Sequence, residues 1–157
     1  MTRAIILAAG EGTRLRPYTL ELPNCLVPLS GRPQLDWQVD TQRSVGIEDI
    51  TVVTGYRAEQ IGALGYETVR NDRFEVTNKV SSLMSARDQL DGTDEVVVSY
   101  GDLVFEASVA QSLLDSGSPC SITVDLSWQE LWQLRMEDPL TDAETMRIDD
   151  AGNVVEL

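Results

Sequence analysis

Histidine is absent from this 157-residue sequence, and lysine occurs only once, at position 79. The absence of histidine excludes histidine-based catalytic triads, histidine general bases and histidine metal ligands. Chemistry in this chain must therefore rely on carboxylates, arginine, Lys79, hydroxyl groups, backbone amides or a bound metal ion.

The chain has only two cysteines, Cys25 and Cys120, and no apolar run that approaches the length of a membrane span. The cysteines have neither metal-site nor redox-motif spacing, so reduced thiols in a cytoplasm are expected. The lack of a long apolar run and of a charged-then-apolar leader predicts a soluble protein without a membrane span or signal peptide.

Basic residues are scarce in the second part of the chain, and the formal net charge is -14. Residues 1–90 carry 10 Arg or Lys against 11 Asp or Glu, whereas residues 91–157 carry 2 against 15. A chain this acidic is a poor partner for nucleic acid, because binding to the phosphate backbone needs a basic surface. Because most of the basic residues lie in residues 1–90, that part of the chain is expected to bind any small anionic ligand.

Apolar, β-branched segments alternate with segments of helical character, which predicts an α/β fold with an open, mostly parallel, Rossmann-like sheet flanked by helices. The length predicts a single domain over residues 1–157. The predicted strands are residues 4–7, 50–54, 67–71, 95–100 and 121–126, and the predicted helices are residues 33–45, 58–64, 81–90 and 106–114. A turn at residues 150–153 predicts a C-terminal β-hairpin, and the chain's end there predicts a longer protein downstream.

The first predicted strand runs into a turn rich in glycine, Gly-Glu-Gly-Thr-Arg, at residues 10–14. Glycines let the backbone approach a ligand, consecutive amides can hold phosphate oxygens, and Arg14 and Arg16 supply forked donors for negative charge. The turn lacks the third glycine of a dinucleotide fingerprint and the ending of a Walker A loop. A tight strand-to-helix turn with solvent-facing arginines is the other interpretation.

The longer stretch from Leu7 to Pro33 resembles the signature of the sugar-phosphate and choline-phosphate type nucleotidyltransferases, L-A-A-G-x-G-T-R-L-x-P, then P-K-x-L-x-P, then G-x-P. The resemblance implies a truncated nucleotidyltransferase fold whose loop surrounds a nucleoside triphosphate. The residues that it implies near the base and sugar are Leu7, Ala8, Ala9 and Gly10, and those at the phosphates are Gly12, Thr13 and Arg14.

A second segment, residues 75–90, is similar to the T-N-N-x-x-S-L region of the choline-phosphate cytidylyltransferases and their phosphonate-using relatives. The resemblance implies that Ser81 or Ser82 reads a pyrimidine edge at a helix start, with Asn78 and Lys79 near the acceptor. A pair of serines is also a good N-cap, and capping alone could explain the pattern.

The predicted strand over residues 95–100 runs into Gly-Asp, which puts Asp102 at the carboxyl edge of a parallel sheet, the usual ligand crevice of open α/β folds. Asp102 also matches the family's metal-binding aspartate, and one carboxylate that bridges Mg²⁺ to triphosphate oxygens is typical of that ion. A turn or N-cap aspartate is the alternative.

The acidic part of the chain adds further candidates. Asp125 is expected to end the strand over residues 121–126 and to contact the substrate. The family often shows Ala-Glu before its next strand, matched by residues 143–144, so Glu144 or Asp125 is the candidate second metal ligand. Trp128 and Trp132 share a helical face, which fits either a core or a binding wall.

Position 24 departs from the signature, which has lysine where this sequence has Asn24. Loss of that cation would remove electrostatic stabilisation on which phosphoryl-transfer chemistry depends. Lys79, with Arg14 and Arg16, could compensate, or Asn24 could hydrogen-bond an acceptor that is smaller or differently charged than a sugar phosphate. A substitution engineered to trap a complex also fits.

The resemblance implies a cytidylyltransferase that moves CMP from CTP to a phosphonate or phosphate oxygen, releases pyrophosphate and uses Mg²⁺. Arg14, Lys79 and Asp102 are the predicted catalytic residues, and an ionised phosphonate needs no general base. The chain is also similar to the N-terminal half of the bifunctional cytidylyltransferases of fosfomycin biosynthesis. That likeness implies 2-hydroxyethylphosphonate as acceptor and covalent fusion to a downstream phosphoenolpyruvate mutase.

Two other functions stay open at the level of sequence. Asn24 favours a degenerate nucleotide-binding or regulatory module that binds CTP without turnover. A sugar-1-phosphate nucleotidyltransferase that uses UTP or dTTP is the second alternative.

Overall fold

A computed structural model describes residues 1–141, 143 and 146–156 of the chain. The chain divides into two compact units, Met1–Ser118 and Pro119–Leu157. Among the described residues, no helix has both the length and the apolar character needed to cross a bilayer.

The first unit holds six strands and four α-helices. The strands are β1 (Thr2–Ala8), β2 (Pro28–Leu29), β3 (Arg32–Pro33), β4 (Asp49–Thr54), β5 (Glu67–Arg70) and β6 (Glu95–Tyr100). The helices are α1 (Gln34–Ser44), α2 (Ala58–Gly62), α3 (Lys79–Ser85) and α4 (Ala107–Leu114). Short 3₁₀ turns cover Thr13–Leu15, Tyr18–Leu20, Asn24–Leu26, Phe74–Val76 and Arg87–Gln89.

The central sheet is parallel throughout, with the strand order β5-β4-β1-β6. Strand β1 lies between two partners, so that Leu7 is opposite Val53 of β4 on one side and Tyr100 of β6 on the other. The chain moves outward in one direction from β1 to β4 and β5 and in the other to β6. The carboxyl ends of β1 and β6 therefore flank a topological switch point, where open α/β sheets bind ligands.

Helices cover both faces of this sheet because successive side chains of β1 point to opposite sides. Ile6 packs on one side with Leu35 and Val39 of α1, whereas Ile5 packs on the other with Ala86 after α3. Burial of each aliphatic side chain of this size stabilises the fold by about 1.5–3 kcal/mol. The apolar residues of β1 thus hold the helices that surround the switch point.

The predicted α/β fold and its parallel sheet are confirmed, and four of the five predicted strands correspond to β1, β4, β5 and β6. The strand predicted over residues 121–126 is wrong, because those residues form no strand ladder. Ile122 is 57% exposed and Leu126 is 91% exposed. An alternating apolar pattern becomes a strand only where a neighbouring strand and a packing surface accept it.

The helix predicted over residues 81–90 begins two residues earlier and is shorter. Asn78 is its N-cap, and the α-helical part ends at Ser85 before the 3₁₀ turn Arg87–Gln89. The side chain of Asn78 accepts a hydrogen bond from the Ser81 amide, which satisfies one of the unpaired N–H groups at the helix start. The alternative in which the serine pair caps the helix is therefore wrong.

The second unit contains α5 (Trp128–Gln133), a 3₁₀ turn at Pro139–Thr141, and the strands β7 (Arg147–Ile148) and β8 (Val154–Glu156). Strands β7 and β8 pair antiparallel, which confirms the C-terminal hairpin. The carboxylate of Asp149 accepts hydrogen bonds from the amides of Ala151 and Asn153 in the connecting turn. Trp128 and Trp132 both lie on α5.

The two free cysteines have opposite environments, which gives a test of the packing around the switch point. Cys25 is 2% exposed and Cys120 is exposed. Burial, assisted by the charge of Asp102, raises the pKa of the Cys25 thiol from 9.0 to about 12. Because the thiolate is the reactive form, native protein should react quickly with one equivalent of a thiol reagent, at Cys120, and with a second only on unfolding.

The raised pKa also sets a pH dependence. The contribution of Cys25 to the free energy of unfolding is fully present below pH 9.0. It is lost as the pH rises toward about 12, because the thiol ionises first in the unfolded chain.

For the thiol-reagent experiment, a Cys120→Ser variant is the control and should show no fast-reacting thiol. Two fast thiols in the native wild-type protein would contradict the described burial of Cys25.

Candidate functional site

Three loops meet at the carboxyl edge of the sheet. The Gly101 amide donates to the Leu7 carbonyl over 2.8 Å, and the Tyr56 amide donates to the Ala9 carbonyl over 3.0 Å. These bonds extend the ladders of β1 beyond the strands and bring the turns after β1, β4 and β6 together. Asp102 follows Gly101 directly and is exposed. The edge thus combines the glycine-rich turn with a carboxylate.

Glycine occupies the two positions of this turn, 10 and 12, for different physical reasons. Gly12 has φ +62°, and a Cβ there would lie 2.8 Å from the Cβ of Asn24, so the fold itself requires glycine. Gly10 has no positive φ, and no described residue beyond its chain neighbours lies within 4 Å of the place that a Cβ would take. The open space at Gly10 leaves room for a ligand to approach the backbone.

The arginines of the turn lie at its surface. Arg14 is exposed within the 3₁₀ turn Thr13–Leu15, and Arg16 forms an ion pair with Glu11 over 3.1 Å. Both members of that pair are well exposed, so it contributes little to stability. Arg16 can therefore exchange Glu11 for an anionic ligand at small cost.

Asn24 is bonded to the carboxylate that the sequence pattern singles out. Its Nδ2 donates to Asp102 Oδ2 over 3.0 Å, and the neighbouring Cys25 and Leu26 are buried and anchor the 3₁₀ turn that carries it. Its Oδ1 is buried and accepts no hydrogen bond from the described residues. An unpaired buried acceptor costs about 1–3 kcal/mol, which a cation or donor brought by a ligand would offset.

The start of α3 brings Lys79 to the end of β6, and the serine that follows in the same helix, Ser82, bonds to Asn71 after β5. Lys79 Nζ lies 4.2 Å from the ring centroid of Tyr100, the last residue of β6. The chain's one lysine therefore contacts the strand that leads into Asp102, through a cation–π interaction. Ser82 is buried and accepts a hydrogen bond from Asn71, whereas Ser81 is partly exposed in the first helical turn.

Metal binding at this edge would depend on few protein ligands. Within residues 1–141, 143 and 146–156, no cluster of three or more Asp, Glu or Cys side chains could hold a metal ion. A single exposed carboxylate, Asp102, beside the unpaired oxygen of Asn24 fits Mg²⁺, which prefers oxygen ligands and takes the rest from water and phosphate. Glu144, the predicted second ligand, lies outside the described residues.

Asp125 belongs to the second unit and does not end a strand, which corrects that prediction. Its Oδ1 accepts a hydrogen bond from the Ser127 amide over 2.8 Å, in the turn that leads into α5. The predicted residues that the structure brings together are thus those of the first unit.

One residue of the site was missed from the sequence. Gln38 of α1 is 0% exposed, and its Nε2 donates to the carbonyls of Tyr100 and Leu103, on either side of Asp102. A signal was available, because the buried positions of α1 have the spacing of an amphipathic helix, and two of the four are glutamines. They are Leu35, Gln38, Val39 and Gln42.

Comparison with known proteins finds relatives that are named as cytidylyltransferases. The chain is 33% identical over 163 residues to CTP:phosphoglutamine cytidylyltransferase of Campylobacter jejuni, an alignment that covers 98% of this chain and 64% of the relative. It is 36% identical over 95 residues to 2-aminoethylphosphonate cytidylyltransferase of Lancefieldella rimae, which covers 57% of this chain and 39% of the relative.

A solved structure, CTP:phosphocholine cytidylyltransferase from Streptococcus pneumoniae, superposes with a TM-score of 0.61 at 34% identity, over 68% of this chain and 50% of the other. The chain thus spans less than two thirds of the length of these relatives. Residues 4–134 match the MobA-like NTP transferase domain. With most of its length matched, the chain belongs to the MobA-like NTP transferase family.

Proposed function

We propose that the protein is a cytidylyltransferase that moves CMP from CTP to the phosphonate or phosphate oxygen of a small acceptor and releases pyrophosphate. The observation that carries this proposal is the meeting of the glycine-rich turn, Asp102 and Lys79 at the switch point between β1 and β6. All three relatives described above are named as cytidylyltransferases, which favours CTP over UTP or dTTP.

The proposed reaction needs alignment and charge neutralisation more than proton transfer. An ionised acceptor oxygen forms the new bond to the α-phosphorus of CTP, while the bond from that phosphorus to pyrophosphate breaks in line. Asp102 would hold Mg²⁺, which when bound neutralises charge on the triphosphate. Arg14 would stabilise the phosphates, and Lys79 would attract the acceptor's oxyanion.

The remaining roles follow the family resemblance. The backbone of residues 7–13 would hold the nucleotide, with Ser81 or Ser82 reading the cytosine edge, and Asn78 and Asn24 would contact the acceptor. The resemblance to the fosfomycin-type bifunctional enzymes supports 2-hydroxyethylphosphonate as acceptor, fusion to phosphoenolpyruvate mutase and a cytoplasmic location. The free thiols fit that reducing compartment.

The first test is turnover with defined substrates. The protein is incubated with Mg²⁺, each of CTP, UTP and dTTP, and a panel of acceptors that includes 2-hydroxyethylphosphonate, 2-aminoethylphosphonate and phosphocholine, and pyrophosphate release is followed. We expect release with CTP and a small phosphonate. If no acceptor gives pyrophosphate release but calorimetry shows tight CTP binding, the result would instead support a nucleotide-binding module without turnover. Pyrophosphate release with UTP or dTTP and a sugar phosphate would support a sugar-1-phosphate nucleotidyltransferase.

The second test removes the charge of Asp102. In Asp102→Asn the Asn24 amide can still donate to the new side-chain oxygen, so the local geometry is kept while the anionic ligand is lost. We expect kcat to fall by about 10²-fold or more, with unchanged melting temperature. Asp88→Asn, at an exposed aspartate on the turn after α3, is the matched control and should keep full activity. Equal activity of both variants would show that Asp102 has no role in the reaction.

The third test asks whether Lys79 replaces the cation that position 24 lacks. We expect Lys79→Gln to raise the KM for the acceptor by about tenfold, because the oxyanion loses its cation. Adding Asn24→Lys to that variant should restore part of the loss, since Asn24 already contacts Asp102 at the same edge. If Asn24→Lys alone raises kcat strongly, the wild-type site is impaired rather than compensated.

A further inference from the structure

We propose that Gln38 is a positioning residue that holds Asp102 in place for the reaction. The inference rests on the proposed function in that Asp102 is taken as the residue that meets the metal and the triphosphate. The contacts of Gln38 themselves are independent of that function.

The side-chain amide of Gln38 bridges the turn that carries Asp102. Nε2 donates to the Tyr100 carbonyl over 2.9 Å and to the Leu103 carbonyl over 3.0 Å. A carboxamide nitrogen has two hydrogens, and both are directed at this turn. Because one acceptor precedes Asp102 and the other follows it, the turn cannot open without breaking one of the two bonds.

The support behind Gln38 is rigid. Helix α1 packs on the sheet through Leu35 and Val39, and Gln38 lies between them on the buried face with no exposed surface. On the other side, the Gly101 amide donates to the Leu7 carbonyl of β1 over 2.8 Å. The backbone on both sides of Asp102 is therefore attached to two elements of the core.

The side chain of Asp102 has its own restraint. Asn24 Nδ2 donates to Oδ2 of Asp102, and Asn24 is fixed by the buried 3₁₀ turn Asn24–Leu26. Gln38 thus fixes the position of the Asp102 backbone, and Asn24 fixes the orientation of the Asp102 carboxylate. Preorganisation of this kind lowers the reorganisation needed when a charged ligand arrives.

Gln42 provides a comparison within the same helix. It is also 0% exposed, lies one turn after Gln38, and its Nε2 donates to the Ser99 hydroxyl over 3.2 Å. It does not bond to the turn at residues 100–103 in the part of the chain that the structure describes. The Ser99 hydroxyl in turn donates to Gln38 Oε1 over 3.5 Å, a long and weak contact, so Gln42 is joined to that turn only indirectly. The two glutamines share burial and helix, and only Gln38 bonds directly to the turn, so their variants separate general packing from the positioning of Asp102.

The experiment compares Gln38→Met with Gln42→Met in the whole chain. Hydrogen exchange is followed at the amides of residues 101–103, and CTP binding is measured by calorimetry with Mg²⁺ and with EDTA. We expect Gln38→Met to speed exchange there by about tenfold and to weaken the Mg²⁺-dependent part of CTP binding by about tenfold, with binding in EDTA nearly unchanged. Gln42→Met should change neither quantity, even where both variants lose thermal stability.

A second variant covers the case in which Gln38→Met does not fold. Gln38→Asn keeps a neutral side-chain amide but is one methylene shorter, so it cannot reach both carbonyls. It should repeat the effects expected of Gln38→Met, and kcat should fall more than the KM for CTP changes.

The outcomes separate this inference from the proposed function. Unchanged exchange and unchanged Mg²⁺-dependence in the Gln38 variants, with a wild-type protein that binds CTP, overturn the positioning role alone. Equal effects of the Gln38 and Gln42 variants also overturn it. A wild-type protein that binds no CTP under any condition overturns the proposed function and the role of Gln38 in it together.

Discussion

The parallel pairing of β1 with β6 is the contact on which the candidate site depends. It joins strands from distant parts of the sequence, and the bond from the Gly101 amide to the Leu7 carbonyl continues the pairing into the two loops that follow. Without this register the glycine-rich turn, Asn24 and Asp102 would not share one edge. The apolar side chains of β1 hold the strand in the sheet from both faces, where Ala4, Ile5 and Ile6 are fully buried.

The bond between Asn24 and Asp102 gives the site an unusual charge balance. A lysine at position 24, as the family signature has it, would orient the carboxylate and compensate its charge at once. The neutral amide orients it without compensating the charge, so the carboxylate keeps its attraction for a cation. Cationic groups lie instead at the borders of the edge, where Lys79 contacts Tyr100 and Arg14 is exposed.

The sequence predicted the central sheet because β1 and β4 are apolar runs buried on two faces and β6 is a run of β-branched residues, and both kinds of run leave a strong local pattern. The same reasoning failed at residues 121–126, because alternation alone does not tell whether a partner strand is present. The contacts of Asn24 and Gln38 with the turn around Asp102 join residues far apart in the chain, and no local pattern encodes them. The glutamines at core positions of α1 were visible, but which carbonyls they bond depends on the packed structure.

The contrast between Gly10 and Gly12 bears on how this sequence can diverge. A side chain at Gly12 would meet Asn24 and require a left-handed backbone, so folding itself selects against it. Folding sets no such limit at Gly10, where a small side chain would enter open space. A descendant that no longer binds its ligand would be free to lose Gly10 while keeping Gly12, and the pair would then serve as a record of whether the site is still in use.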